Sequence, residues 1–245
     1  NNTNTANNAP GAGLGLLRSS VVLTNCTIAD NSGTVDQSGG GGLYVDALSR
    51  LTIVQSFLLR NQLGYPGGGN SGAPGPGFYN QGRLNLIETV VAGNQALGGV
   101  APGAGGCNEG YLWMQNCLVV SNRFPFTGWQ SRTVDGIELY SGTGVFVNCT
   151  FANNWTNGIV YRAGAVAMTN CIVKGHVVAD LLYFPKDGYG VMTNVWYSNI
   201  GDGQNNGVQG CTSLDPLFAA TTYYHLKSTI NCYTGGYFTG GAWTT

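Results

Sequence analysis

The chain has 245 residues, of which 43 % are apolar and only 9 % are charged, and its net charge is −1. Soluble domains usually carry roughly 25 % charged residues; the low charge here and the lack of any basic run argue against a nucleic-acid partner and against an anionic membrane surface. No apolar stretch approaches the roughly 20 residues that cross a bilayer, so the sequence predicts no membrane span.

The chain opens with NNTNTANNAPGAG, a polar stretch rich in asparagine, and we expect residues 1–13 to form a flexible segment. No amphipathic helical pattern occurs before residue 14. The segment is therefore a poor candidate for the kind of cap that protects the ends of most repeat folds.

A seven-residue phrase recurs from residue 25 onward, as NCTIADN, NCLVVSN, NCTFANN and NCIVKGH, with further copies that lack the cysteine. The copies end 22 residues (154 to 176) to 33 residues (61 to 94) apart. A period in this range, with insertions of uneven length, is typical of a solenoid. The last residues of the phrase are Asn31, Asn61, Asn94, Asn122, Asn154 and His176, with Ile200 in a degenerate seventh copy.

Each copy predicts three short strands: one that follows a glycine, one just before the phrase, and one within it. The strand before the phrase alternates, because its third position is always large and apolar whereas its middle position is mixed. We interpret this as one buried face in an all-β fold, a parallel β-helix of about seven coils over residues 14–210. The third-position residues are Leu23, Ile53, Leu86, Met114, Phe146, Met168 and Met192.

Two columns of the phrase predict interior ladders. The second position is small in every copy, and we interpret its four cysteines, Cys26, Cys117, Cys149 and Cys171, as compact interior side chains rather than redox groups. The full column is Cys26, Ser56, Thr89, Cys117, Cys149, Cys171 and Val195. The closing asparagines predict a second ladder, because asparagine tolerates tight turns and its amide can bond to the next asparagine one coil away.

The third position of the phrase should point outward, and it is mostly large and apolar. Two interpretations are open: segments of the same chain cover this face, or it is an interface with another subunit or a ligand. The candidate interface residues are Phe57, Val90, Leu118, Ile172 and Trp196.

A resemblance follows from GGLYV (41–45), LTIVQSFLLRNQ (51–62) and GVFVNCTFANN (144–154). They resemble the right-handed parallel β-helix repeats of bacterial surface and secreted proteins, including polymorphic outer-membrane proteins and the pectate-lyase-like superfamily. SLDPLF and YYHLKST, within 213–229, resemble a C-terminal element of secreted bacterial β-helix proteins. The resemblance covers about residues 14–230 and implies a right-handed β-helix outside the cell. It does not imply one activity, since the fold carries lyases, hydrolases, adhesins and spacers.

The chain departs from the β-helix enzymes at their catalytic motifs. The paired Asp and Gly-His-Gly signatures of polygalacturonases are absent, as is the arginine-rich motif of pectate lyases. The remaining candidate is WQSRTVDGIE (129–138), in which a sugar could stack on Trp129 while Asp135, Glu138 and Arg132 act on it. The alternative, which we favour, is a solvated loop between coils.

No cofactor is predicted, because the cysteines and histidines lack zinc-ligand spacing. GDGQNNG (201–207) is a weak calcium candidate through Asp202, Asn205 and Asn206, and a plain turn is the alternative. Residues 211–245 are expected to pack on or cap the last coils. Within them, Cys211 and Cys232 could form a disulfide in an exported protein.

The sequence thus favours a non-catalytic structural protein at the cell surface or outside the cell, of the secreted bacterial type: an adhesin-like module or a fibre subunit. Self-association is expected through coils whose strand edges are open, as a homo-oligomer or filament. The alternatives are a polysaccharide lyase or hydrolase that uses residues 129–138, and a glycan-binding module that uses Trp113, Trp129 and Tyr140.

Overall fold

The computed structural model describes residues 2–4, 10–34, 39–64, 74–97, 102–124, 136–184, 191–218, 224, 237–239 and 242–244. The chain divides into two compact units, residues 1–213 and residues 214–245. All regular elements of the described residues are β-strands. No described residue belongs to a helix that is long and apolar enough to cross a membrane.

The first unit is a parallel solenoid with three strands per coil, and every strand pairs with its equivalents in the neighbouring coils. The first sheet consists of Leu14–Leu16, Leu43–Val45, Phe78–Asn80, Gly106–Asn108, Ile137–Leu139, Asn157–Tyr161 and Ala179–Tyr183. The second sheet consists of Ser20–Thr24, Arg50–Val54, Arg83–Ile87, Tyr111–Gln115, Thr143–Val147, Gly164–Thr169 and Val191–Trp196. The third sheet consists of Thr27–Ala29, Phe57–Leu59, Val90–Ala92, Leu118–Val120, Thr150–Ala152, Ile172–Lys174 and Asn199–Ile200.

A short fourth sheet follows the asparagine turn and consists of Thr3–Asn4, Ser32–Gly33, Gln62–Leu63 and Gln95–Ala96. Thr3 and Asn4 pair with Ser32 and Gly33 and so begin one coil before the rest of the solenoid. The segment 1–13, expected to be flexible, thus contains a dipeptide that pairs with the solenoid. In the second unit, Tyr237–Thr239 pairs with Ala242–Thr244 in an antiparallel hairpin.

In the structure, every residue in the small-residue column of the phrase carries a side-chain hydrogen-bond donor. In all seven coils its thiol or hydroxyl donates to the carbonyl oxygen two residues earlier, at 3.3–3.4 Å for cysteine and 2.7–2.9 Å for serine and threonine. The residue between donor and acceptor has a positive φ of 47–54° in every coil. The side chain thus closes a left-handed turn, and from the second coil onward it gives a second hydrogen bond to a carbonyl that also accepts a main-chain N–H of the preceding coil.

The predicted register of the last coil is wrong by three residues. Met168 pairs with Val195 rather than Met192, and Cys171 is followed in its column by Ser198, whose Oγ accepts the Cys171 N–H at 3.1 Å. Ile200 lies over Val173 and not at the closing position. The reason is chemical: Val195 has no donor for the turn carbonyl, whereas the hydroxyl of Ser198 bonds to the Trp196 oxygen at 2.9 Å.

The four cysteines of the phrase lie in the interior column that the sequence analysis predicted. Cys117, Cys149 and Cys171 are buried, and Cys26 is half-buried because it belongs to the first coil. Burial is the leading reason that the pKa of the Cys149 thiol lies far above its ordinary value, so this thiol stays protonated and remains a donor. Cys211, expected in the C-terminal segment, is instead a buried free thiol of the first unit that donates to the Val195 oxygen at 3.4 Å. Cys232 lies outside the described residues.

The asparagine ladder is confirmed. Its five members are buried, and in the first four one side-chain N–H donates to the side-chain oxygen of the next asparagine at 2.9–3.0 Å. The ladder ends at His176, whose Nε2 accepts from Asn154 at 3.2 Å while Nδ1 lies 2.6 Å from Asp180. Because the amide donates to Nε2, the imidazole proton belongs on Nδ1, facing the carboxylate.

The two ends of the solenoid differ. In the first coil the inward-facing Leu23 and Ile28 are only half-buried, whereas Ile53 and Leu58 above them are fully buried. The opposite edge of the first sheet is closed by side chains: the Asp202 carboxylate accepts the N–H groups of Asp180 and Leu181 at 3.0 and 3.1 Å. Gln204 donates to the Leu181 oxygen. This caps a strand edge that would otherwise be open.

Candidate functional site

The outer face of the first sheet carries a continuous set of polar and aromatic side chains. In each three-residue strand of the early coils the first and last residues point into the core, so the middle residue must point outward. Tyr44, Tyr79, Cys107 and Glu138 are stacked in register at this middle position. The residues that directly follow the strands form a second column beside them. We call the set the polar strip: Tyr44, Tyr79, Gln81, Glu109, Glu138, Tyr140 and Arg162.

The lower half of the polar strip is joined by hydrogen bonds across three coils. The Tyr44 hydroxyl donates to Gln81 Oε1 at 2.8 Å. The Gln81 amide then donates to the Tyr79 hydroxyl at 2.8 Å and to Glu109 Oε2 at 3.1 Å. The rings of Tyr44 and Tyr79 lie 5.7 Å apart. Burial, followed by the charge of Glu109, raises the pKa of the Tyr79 hydroxyl, which therefore stays protonated and can donate.

The upper half of the strip contains a buried ion pair. The Glu138 side chain is 0 % exposed, and its Oε1 accepts a hydrogen bond from Arg162 Nε. Oε2 is also buried and has no hydrogen-bond partner among the described residues. Burial raises the pKa of Glu138 to about 7, against the opposing attraction of Arg162. The guanidinium carbon of Arg162 in turn lies 4.8 Å from the Phe184 ring centre and 5.9 Å from that of Tyr140.

The structure separates the residues of the catalytic candidate 129–138. Trp129, Arg132 and Asp135 lie outside the described residues. Glu138 belongs to a strand of the first sheet, so the interpretation of this residue as part of a solvated loop is wrong. The sequence pattern places Glu138 among apolar strand residues, and its partner Arg162 is one coil later, which no local motif reveals.

Two further predicted sites are changed by the structure. Phe57, Val90, Leu118 and Ile172 lie in one half-buried outer column of the third sheet, but Trp196 does not, because it pairs with Thr169 in the second sheet. The calcium candidate Asp202 uses its carboxylate as a strand cap. The neighbouring Asn205 and Asn206 form a turn through main-chain bonds, with the Asn206 N–H donating to the Gly203 oxygen at 3.2 Å.

No group of three or more His, Cys, Asp or Glu side chains is arranged to hold a metal ion in the part of the chain that the structure describes. Trp113 and Tyr140, suggested as glycan contacts, lie on different faces: Trp113 on the second sheet and Tyr140 in the polar strip. Sequence reasoning did not single out Tyr44, Gln81, Glu109 or Arg162. One pattern in the sequence could have identified them: each lies within, or directly after, the short strand that follows a glycine turn.

Comparison with known proteins agrees with the solenoid. A family model described as the right-handed β-helix region matches residues 1–213, which is the whole first unit. No curated protein and no solved structure matched the chain. The parallel strand pairing and the family match together show that the chain belongs to the right-handed β-helix family, in agreement with its resemblance to the pectate-lyase-like superfamily.

Proposed function

We propose that this chain is a non-catalytic, adhesin-like β-helix module that acts at the cell surface or outside the cell and binds an extended neutral glycan along the polar strip. The observation that carries the proposal is the hydrogen-bonded series Tyr44, Gln81, Tyr79 and Glu109. It places the half-buried ring of Tyr44 beside polar groups of the following coils, which lie about 4.8 Å apart, while the Tyr79 ring behind it is buried. Aromatic rings stack on sugar rings; the side-chain amide can donate to and accept from sugar hydroxyls, and the carboxylate can accept from them.

The carboxylates of the strip support binding rather than hydrolysis. Cleavage of a glycosidic bond needs a pair of carboxyl groups, one of which must deliver a proton to the bond oxygen. The Glu138 side chain has no exposed surface, and it holds Arg162 in place. Glu109 accepts a hydrogen bond from Gln81. Both groups therefore position their neighbours.

Binding to the strip is expected to depend on Tyr44. Titration calorimetry with neutral oligosaccharides, such as cello-, xylo- and malto-hexaose, should detect binding of at least one of them. Tyr44→Ala should weaken it about tenfold, because one stacking face is lost. Tyr111→Ala is the matched control, since Tyr111 lies on the second sheet against Arg83. No binding to any of the oligosaccharides, or equal losses in the two variants, would contradict the proposal.

A polysaccharide-active enzyme is the second candidate, and one observation favours it. Glu138 has a pKa of about 7 and lies one coil above Glu109, which resembles a proton donor beside a second carboxylate. The same oligosaccharides and a polyuronide, followed for new reducing or unsaturated ends, decide between the two functions. Turnover that disappears in Glu138→Gln and Glu109→Gln would replace the binding proposal with the enzymatic one.

Self-association is proposed through the first coil, whose inward-facing Leu23 and Ile28 are half-buried. A second copy that adds its own first coil would complete both cores and pair both strand edges. Sedimentation velocity should show a mass that rises with protein concentration. Leu23→Lys should lower the association, whereas Val22→Lys should not, because Val22 is next in the strand and points outward with 69 % exposure. A mass that stays monomeric at all concentrations would reject this interface.

A further inference from the structure

An open cleft of about 390 Å³ lies at the outer corner of the solenoid, beside the asparagine ladder and away from the polar strip. It spans three successive coils, at the turn between the third sheet and the short fourth sheet. The cleft is lined by Gly93, Gln95, Ser121, Asn122, Arg123, Asn153 and Trp155.

Small side chains form the floor of this cleft. The residue before each ladder asparagine has a positive φ and occupies the outer corner. In the first two coils these residues, Asp30 and Arg60, form an ion pair at 2.7 Å. The next two coils carry Gly93 and Ser121, which leave the corner unfilled. A Cβ on Gly93 would meet nothing closer than Arg60 Cγ at 3.4 Å, so packing does not require the hollow.

The residue after each ladder asparagine supplies the functional groups. Gln95, Arg123 and Trp155 occupy this position on three successive coils, and hydrogen bonds hold their main chain to the solenoid. The Arg123 N–H donates to the Asn94 oxygen at 3.0 Å, the Ala96 N–H donates to the Arg123 oxygen at 3.2 Å, and the Trp155 N–H donates to the Asn122 oxygen at 3.1 Å. The main chain of the cleft is therefore fixed by the hydrogen bonds between coils, and the three side chains extend from it.

Two of these side chains are available to a ligand. Trp155 is 52 % exposed, which leaves much of the indole open to water. Arg123 is also exposed, and its guanidinium makes no ion pair with any residue that the structure describes. By contrast, Arg60 at the neighbouring corner is neutralised by Asp30. A cation that has no counter-charge among the described residues, beside an open aromatic face, favours a ligand that has both a carboxylate and an apolar ring face.

We propose that this cleft binds a carboxylated sugar, that is, a uronic acid or a sialic acid residue of a glycan. The Trp155 indole stacks on the less polar face of the sugar ring. The Arg123 guanidinium takes the carboxylate through two parallel N–H···O bonds. Gln95 and Ser121 bond to ring hydroxyls across the floor. This site is independent of the polar strip, where Glu109 adds negative charge and so disfavours an acidic ligand.

The test is titration calorimetry with trigalacturonate and with sialyllactose, each beside its neutral counterpart, galactotriose and lactose. We expect at least one acidic sugar to bind tenfold or more tightly than its neutral counterpart, with an affinity that falls as salt is added. Arg123→Gln and Trp155→Ala should each weaken that binding about tenfold. Arg50→Gln and Trp196→Ala, exposed residues of the same types on the second sheet, should leave it unchanged.

Several results would overturn the site. They are no binding of either acidic sugar, equal binding of an acidic sugar and its neutral counterpart, or control variants that lose as much affinity as the cleft variants. Tyr44→Ala separates the two sites: if it abolishes binding of the acidic sugar while Trp155→Ala does not, the ligand belongs to the polar strip. Failure of neutral oligosaccharides to bind the strip leaves the cleft titrations unaffected, so the two proposals fail separately.

Discussion

Asn94→Ala is expected to lower the free energy of unfolding by about 3 kcal/mol. Asn94 Oδ1 accepts the main-chain N–H and the side-chain N–H of Asn61, at 2.9 and 3.0 Å. Its own side-chain N–H groups donate to Asn122 Oδ1 at 2.9 Å and to the Leu58 oxygen at 3.1 Å. Alanine leaves these buried groups without partners in a place that water does not reach. Chemical denaturation followed by circular dichroism measures the loss.

Asn85→Ala is the matched control for the ladder. Asn85 also donates a hydrogen bond to a neighbouring coil, to Thr52 Oγ1 of the preceding coil at 3.1 Å, but it lies on the half-buried outer face of the second sheet. Water can replace its partner there, so the expected loss is less than about 1 kcal/mol. Equal losses in the two variants would mean that the ladder contributes no more than an ordinary surface contact.

The buried Glu138 is expected to make the protein less stable as the pH rises. Its pKa is about 7 in the folded chain, against an ordinary value of 4.5, because burial penalises the charged form. The folded state therefore holds a proton that the unfolded state has lost between these two values. Stability is greatest below about pH 4.5 for this group and falls as the pH rises through 7, by roughly 3 kcal/mol in total. Denaturation at a series of pH values measures the decline.

Glu138→Gln isolates this contribution, because the amide has nearly the same shape and does not titrate. The difference in unfolding free energy between the original chain and this variant should change across pH 4.5–7, and a difference that stays constant would contradict the assignment.

Arg162→Met tests the partner of Glu138. Arg162 is the one charge among the described residues that favours the ionised carboxylate. Its removal should therefore destabilise the chain more at pH 8 than at pH 5, by about 1 kcal/mol or more. An equal loss at both pH values would show that the two side chains are not electrostatically coupled.

The first and last coils of the solenoid differ, and this difference affects how two copies of the chain can associate. Asp202 and Gln204 occupy the strand edge of the last coil in the first sheet, whereas the first coil leaves Leu23 and Ile28 half-buried. Head-to-tail growth would require displacement of that cap. Pairing of two first coils leaves that cap in place and uses the edges of the three main sheets, because Thr3 and Asn4 already cover the edge of the short fourth sheet. The proposed association is therefore a closed pair with two-fold symmetry.

Much of the fold could be predicted from the repeat, for a physical reason. Each coil adds one residue to every column. Where a column requires a small, apolar or amide side chain, that residue type therefore recurs several times in the sequence. This is why the asparagine ladder and the buried position of Leu86 and Phe146 were visible without coordinates. The register predicted for the last coil was wrong because GVMT around Met192 has the same pattern as the earlier strands. In the structure Val195 takes the apolar position, and Ser198 takes the position of the small hydrogen-bond donor.

The candidate site was largely hidden from sequence reasoning because its members do not repeat. Glu138 and Arg162 are one coil apart, as are Gln81 and Glu109, and each pair meets only because parallel stacking brings the same position of successive coils together. The same is true of Arg123 and Trp155 in the corner cleft.

The sequence by itself determined the parallel coiled architecture, the turns and the interior ladders of this protein, because those features obey one rule in every coil. Tertiary structure alone decided which single, non-repeated side chains share a surface. The number of residues in each inter-coil loop varies, so distance along the chain does not report distance in space until the strands are in register.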